Sequence, residues 1–334
     1  MNKSAITPRF DFVSLGESML RLSVPTGHRL DNTRSLDLEF AGAESNVCVA
    51  LARLGWHTGW VSRLPDHSLG HAILRALRAD GVDVSAVKCV PGERVGTYFI
   101  EYASTPRPTQ VIYDRGDSAA ARMTIADVDW DYLLDTRILH LTGITAALSE
   151  NCYALLKEAI RRAHIAGVMV SFDVNYRAKL WSAAIAGEKL RPLIAEADVL
   201  LCKGADATAL FGCQGEPRQL MTELQTLSHA PAIFCTFGEQ GAALLHGTEF
   251  VTQRALSVQI MDRLGSGDAF AAGVLDGWLS GTELTNSDTS ALQAGLRRGV
   301  TLAAIALSQI GDRVLSSRAE LNAIIESDQH DISR

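Results

Sequence analysis

The chain has 334 residues, 47% hydrophobic and 21% charged, with a formal net charge of −7. That is enough apolar material for one large α/β domain or two smaller ones. The acidic balance argues against nucleic acid or an anionic membrane as the main partner, while leaving room for a local basic pocket. No 18-residue apolar run predicts a membrane span, and Met1 to Phe10 lacks a secretory apolar core. The six cysteines have no CxxC spacing, so they read as buried free thiols in a reducing cytoplasm.

Asp11 to Leu15 is the first predicted strand, broken by Gly16-Glu17 and resumed at Met19 to Leu22. Val24 to Asn32 has loop composition. Leu36, Leu38 and Phe40 alternate with Asp37 and Glu39, as in a half-buried strand. Gly42-Ala43-Glu44-Ser45-Asn46 opens a helix that carries Val47, Ala50, Leu51 and Leu54 on one face, and Gly55 closes it. Trp60 to Leu64 is a strand. Asp66 or Ser68 caps a helix with Ile73, Leu74 and Leu77 buried. Val82 to Val90 is extended. Val95 to Tyr102 and Gln110 to Tyr113 are strands with exposed aromatics, joined by a turn over Thr105 to Pro108. Segments 18–40 and 93–117 therefore stand out as β-rich excursions able to form a small separate sheet.

Regular alternation follows. Strands are predicted at Ile138 to Thr142, Val168 to Phe172, Val199 to Cys202 and Ala232 to Thr236. Helices run from Ser149 to Ala166 and from about Ser182 to Ala197. Ala242 to Leu245 and Phe250 to Thr252 make a hairpin. Leu256 to Met261 alternates like a further strand, and helices follow near 267–280, 288–309 and 317–326. The order predicts a mostly parallel sheet covered by helices, with ligands at the carboxyl ends of its strands.

Four constellations at that edge carry chemistry. Gly42 to Asn46 lets a small polar ligand approach backbone N–H groups, or is an N-terminal cap. Arg115 and Arg177 follow strands, each beside a tyrosine (Tyr113, Tyr176). A guanidinium there recognises a carboxylate or phosphate, or forms a surface ion pair. Thr236-Phe237-Gly238-Glu239-Gln240-Gly241 is a glycine turn fit to lie against a nucleotide, or a hairpin turn. Gly265-Ser266-Gly267-Asp268 opens a helix whose free N–H groups and dipole make an anion site. Asp268 in that site is a base for phosphoryl transfer or simply a helix cap. The chain has no GxxxxGK[ST] loop, no GxGxxG after the first strand and no HExxH.

In order, these segments resemble the PfkB (ribokinase-like) carbohydrate kinases from Gly16 to about Gln309. Asp262-Arg263-Leu264-Gly265-Ser266-Gly267-Asp268-Ala269-Phe270 is the most specific mark. Within that family the chain is most similar to the 2-keto-3-deoxygluconate kinases. Gly42 to Asn46, Gly96 to Tyr102, Tyr113-Asp114-Arg115, Ser118-Ala119, Leu139 to Ile144, Ser171 to Arg177 with Leu180-Trp181, and Gly311-Asp312 carry that likeness.

The resemblance implies a doubly wound α/β fold, a ribokinase-like three-layer sandwich with a small β-sheet lid. Residues 10–17, 41–92 and 118–330 would form the main domain, and 18–40 with 93–117 the lid. It implies ATP and Mg²⁺ as cofactors and Asp268 as the base, with Gly265, Ser266 and Gly267 holding the phosphoryl group. Gly42, Ala43, Asn46, Tyr98, Tyr113, Arg115, Arg177 and Asp312 would hold a sugar acid. Asn175, Thr236, Gly238, Gly241, Gly265 and Gly267 would hold ATP. Three departures stand out. Arg263 replaces a small residue. Pro65 replaces a glycine. Lys203 and Asp206 fall where an Asn-x-x-Glu motif usually organises Mg²⁺, leaving the metal ligands unassigned. An insertion around Asn286 to Ser290 loosens the alignment of Asp312. A neutral-sugar kinase (fructokinase or ribokinase) and a non-catalytic sugar sensor are the competing readings. The lid's β faces point to a homo-oligomer.

Overall fold

The structure is a computed structural model and describes residues 7–103, 106–281 and 289–327. The expectations at Met1 to Ile6, Thr105, 286–288 and 328–330 lie outside the described residues. In chain order, β1 (Phe10–Leu15), β2 (Met19–Ser23) and β3 (Asp37–Ala41) lead into α1 (Ala43–Arg53). β4 (Thr58–Val61), β5 (Arg63–Pro65), α2 (Ser68–Ala79), β6 (Lys88–Val90), β7 (Thr97–Glu101) and β8 (Gln110–Asp114) follow. Next come α3 (Trp130–Leu134), β9 (Thr136–Thr142), α4 (Gly143–Leu148), α5 (Glu150–Ala166), β10 (Met169–Asp173) and α6 (Ala183–Ile194). β11 (Val199–Lys203), α7 (Gly204–Phe211), α8 (Pro217–Ser228), β12 (Ala232–Thr236), β13 (Ala242–His246) and β14 (Glu249–Gln253) complete the strands. The chain closes with α9 (Ser266–Leu279), α10 (Thr289–Leu307) and α11 (Arg318–Ser327).

Eight strands form the large sheet in the order β14-β13-β12-β11-β10-β9-β1-β4, parallel except for the reversed β13. Both faces are apolar because successive strand residues point to opposite sides. Along β11, Leu200 and Cys202 enter one core while Val199 and Leu201 enter the other. The first core is covered by helices from α3 to α8, the second by α1, α2, α9, α10 and α11. The result is a three-layer sandwich. From β1 the chain steps outward to β4, then returns to β9 and steps the other way. The reversal puts a crevice between the carboxyl ends of β1 and β9, where open α/β sheets bind ligands.

β2, β3, β7 and β8 build a second sheet, ordered β3-β2-β7-β8. Its aromatics, read from sequence as exposed, turn inward: Tyr98 is buried and stacks on Tyr113 with ring centroids 5.6 Å apart. Three other local expectations change. The run Trp60 to Leu64 splits, because β5 leaves the large sheet to pair with β6. His67 caps α2, its Nδ1 accepting from Leu69 N at 3.3 Å, in place of Asp66 or Ser68. Residues 254–260 form no strand. Leu256 packs on the core, so the alternation reflects one-sided burial without a pairing partner, while Met261 N bonds to Leu307 O at 2.8 Å. No helix among the described residues is long and apolar enough to cross a membrane.

Candidate active site

The site is built at the start of α9. Gly265 is its N-cap, with φ of +76°, in the left-handed region that favours glycine. A Cβ there would lie 2.0 Å from the Asp312 carbonyl oxygen. No side chain caps this helix end. The first-turn N–H groups therefore stay available to a ligand, as an anion site requires. Asp268 does not use its carboxylate as a cap. Its Oδ2 accepts from Asn46 Nδ2 at 2.7 Å, across from α1. Asn46 is held in turn by its Oδ1, which accepts from Gly42 N at 3.3 Å.

The cleft in front of Asp268 measures about 210 Å³. The carboxyl ends of β10, β11 and β12 supply Asp173, Lys203 and Thr236, and the turn supplies Gly265 to Asp268. Tyr113, Asn175, Arg177 and Arg263 complete its polar lining. Asn175 adopts φ of +37°, uncommon for a residue with a side chain, directly after β10. Its N–H donates to Asp173 Oδ1 at 3.0 Å. A larger hollow of about 340 Å³ beside Arg9 and Asp135 opens at the amino ends of β1 and β9, the opposite edge of the sheet.

Burial pushes the Asp268 carboxyl above the ordinary carboxylate range, opposed by Asn46, Arg177, Lys203 and Asn175. Burial, reinforced by the Asp268 charge, pushes Asp173 up to about 7. Glu44, fully buried behind the turn after β1, is raised to about 7 by burial. Its Oε1 accepts from the Thr142 and Thr145 hydroxyls at 2.6 and 2.5 Å. Neither Glu44 nor Ser45 caps α1, since Ser45 Oγ donates to Gly42 O at 3.0 Å.

The structure gathers Tyr113, Asn175, Arg177, Thr236 and Gly265 to Asp268 on one cleft, with Asn46 directly behind. Gly238 and Gly241 lie in the turn after β12 and do not line it. Gly42 and Ala43 are at the start of α1, with Gly42 close under the Glu17 carbonyl. Tyr98 donates from its hydroxyl to Asp312 Oδ2 at 2.9 Å, so these two form a pair beneath the turn. Arg115 is held from within the protein. Its Nε donates to Glu17 Oε2 at 2.9 Å, and its Nη2 bonds the same oxygen. Its charge is neutralised internally, because a carboxylate as buried as Glu17 demands a cation. Arg177, Lys203 and Arg263 form no ion pair with a carboxylate among the described residues.

Sequence reasoning gave no role to Arg21, Asp262, Tyr102 or Glu17, although Asp262 and Tyr102 lie within the motifs that carry the likeness. Arg21 and Asp262 are both buried and bonded to each other at 2.5 Å. The signal was an arginine inside the apolar run Met19 to Leu22, on the face opposite Leu20 and Leu22.

A family model described as pfkB family carbohydrate kinase matches residues 10–318. A Haloferax volcanii protein named 2-dehydro-3-deoxygalactonokinase is 34% identical over 97% of this chain and 99% of its own length. A Bacillus subtilis 2-dehydro-3-deoxygluconokinase is 30% identical over 91% of each chain. Among solved structures, a 2-dehydro-3-deoxygluconokinase from Thermotoga maritima superposes with a TM-score of 0.88 at 28% identity, covering 96% of this chain and 100% of that one.

Proposed function

We propose a 2-keto-3-deoxy sugar acid as the substrate of this chain, which belongs to the pfkB family of carbohydrate kinases. It is an ATP-dependent sugar kinase, and on this reading it phosphorylates the terminal hydroxyl of the acid. The gluconate-derived acid, giving a 6-phosphate, is the first choice, and its galactonate-derived isomer the second. The observation that carries the reading is the unpaired Arg177 on the same cleft as Asp268, in a chain of net charge −7. A carboxylate-bearing sugar needs a local cation, and Arg177 supplies one. Two relatives bear names for the two isomeric acids.

Asp268 is the base on this reading. Its raised affinity for a proton suits it to accept one from a substrate hydroxyl. The N–H groups of the Gly265 to Asp268 turn hold the transferring phosphoryl group, each worth about 3 kcal/mol in the barrier. Tyr98, Tyr113, Asn46 and Asp312 orient the sugar, and Asn175 and Thr236 flank the nucleotide. Mg²⁺ would travel with ATP, which needs only one or two carboxylates from the protein. Asp206 fits, since its Oδ2 is buried without a hydrogen-bond partner and its carboxylate feels Lys203 and Arg177 of the cleft, which Asp173 also lines. Bound there, the ion would neutralise phosphate charge.

A panel of both keto-deoxy acids, fructose and ribose, assayed for ADP release, tests the substrate. The expected result is at least about 100-fold higher kcat/KM for an acid, on the order of 3 kcal/mol of discrimination. Equal turnover of a neutral sugar would reject the acid reading in favour of a fructokinase or ribokinase.

A homo-oligomer in a reducing cytoplasm completes the proposal. On the outer face of the small sheet, Leu38, Leu22, Phe99 and Ile112 form one cross-strand row. Leu38 and Ile112 are about half exposed, which favours burial against a second copy. The double variant Leu38→Glu, Ile112→Glu should halve the mass seen by sedimentation. An unchanged mass would place the contact elsewhere. All six cysteines are free and five are buried, which suits that compartment.

A further inference from the structure

Arg21 sits on β2 of the small sheet, yet its side chain has no solvent exposure and reaches into the main domain. Burying a guanidinium is unfavourable unless charge and hydrogen bonds compensate. The compensation comes from two segments that shape the α9 turn. Nη2 donates to Asp262 Oδ2 at 2.5 Å and also bonds the Tyr102 hydroxyl. Nη1 bonds Asp312 Oδ1. Glu39 Oε2 lies 3.3 Å from Nε. Each aspartate is fixed a second time. Asp262 Oδ1 accepts from Leu264 N at 3.0 Å, one residue before the turn. Tyr102 donates to Asp262 Oδ2 at 2.9 Å, and Tyr98 to Asp312 Oδ2 at 2.9 Å. The Asp312 carbonyl lies against the face of Gly265 that has no side chain.

One guanidinium on the lid therefore grips the residue leading into the turn and the residue packed beneath it. A ligand-binding role does not fit. Asp262, Asp312 and Glu39 carry three negative charges against the single positive charge of Arg21, so its guanidinium keeps no charge for a phosphate or a carboxylate. We infer that Arg21 is a positioning residue for phosphoryl transfer, locking the lid onto the turn so that the anion-binding N–H groups and Asp268 keep their alignment. This rests on the reading of that turn as the transfer centre. Misalignment by about 1 Å in such a site can lower a rate on the order of 100-fold.

The tests are Arg21→Lys, which keeps the charge and loses the planar fork, and Tyr102→Phe, which removes one hydroxyl and strands no buried charge. Both are assayed with ATP, Mg²⁺ and the preferred sugar acid, alongside calorimetric ATP affinity and thermal melting. Arg21→Lys should lower kcat about 30-fold and Tyr102→Phe about 5-fold, with ATP affinity within about threefold of wild type. The double variant should fall no further than Arg21→Lys alone, since both act through Asp262. Folded variants with lowered melting temperature and wild-type kcat would overturn the inference, leaving Arg21 a structural residue. If Arg21→Lys does not fold, Tyr102→Phe decides: a wild-type kcat rejects the coupling. Asp268→Asn runs beside them. Its loss of activity with unimpaired Arg21→Lys and Tyr102→Phe would reject the coupling while leaving the transfer centre intact.

Discussion

Asp268→Asn is expected to lower kcat by about 10²- to 10⁴-fold while leaving calorimetric affinity for ATP and sugar acid within about threefold. The carboxylate accepts from Asn46, and an asparagine oxygen can accept from it in the same place. What disappears is the capacity to take a proton. The same substitution should raise stability at neutral pH. Burial raises the folded-state pKa of Asp268 above that of the unfolded chain. Its contribution to stability is therefore full below the unfolded value and is lost as pH rises through the folded value. Above its folded value the wild type bears the penalty of an ionised buried carboxylate, and Asp268→Asn does not. Its melting temperature should exceed wild type there, with the gap closing as pH falls. A rate equal to wild type would remove Asp268 as the base; a lower melting temperature at pH 8 would show that the ionised form is well compensated.

The turn was legible in the sequence because its chemistry is local. Glycine permits the left-handed conformation at Gly265, and a helix start leaves free N–H groups wherever it occurs. The β–α alternation was legible for a similar reason, since a strand buried on both faces reads as a short apolar run. What could not be read is who pairs with whom. Arg21 meets Asp262 and Asp312 across 241 and 291 residues, and Arg115 meets Glu17 across 98. Periodicity in one sequence carries no information about such contacts. It misled at Leu256 to Met261, where an extended chain packs Leu256 on the core without pairing. It also left the cap reading of Asp268 open until the position of Asn46 was known.

Arg115 is paired inside the protein with Glu17, and the consequence is measurable. Arg115→Met should destabilise the fold by about 3–5 kcal/mol, the usual cost of stranding one member of a buried ion pair. The Glu17 side chain is 1% exposed and would keep only Ser118 as a hydrogen-bond partner. Adding Glu17→Gln should recover most of the loss, because the uncompensated charge is then gone. Urea denaturation midpoints of the two single variants and the double variant measure both effects. Function follows from the same pair. Glu17 lies against Gly42, the residue before the helix that carries Asn46 to Asp268. Arg115→Met alone should thus lower activity through a displaced Asn46, whatever the substrate. In the double variant, with folding restored, preference for an acid over a neutral sugar separates the two roles. A retained preference leaves Arg177 as the cation that meets the substrate carboxylate. A preference lost together with Arg115 would show that this guanidinium, even paired with Glu17, still recognises the acid.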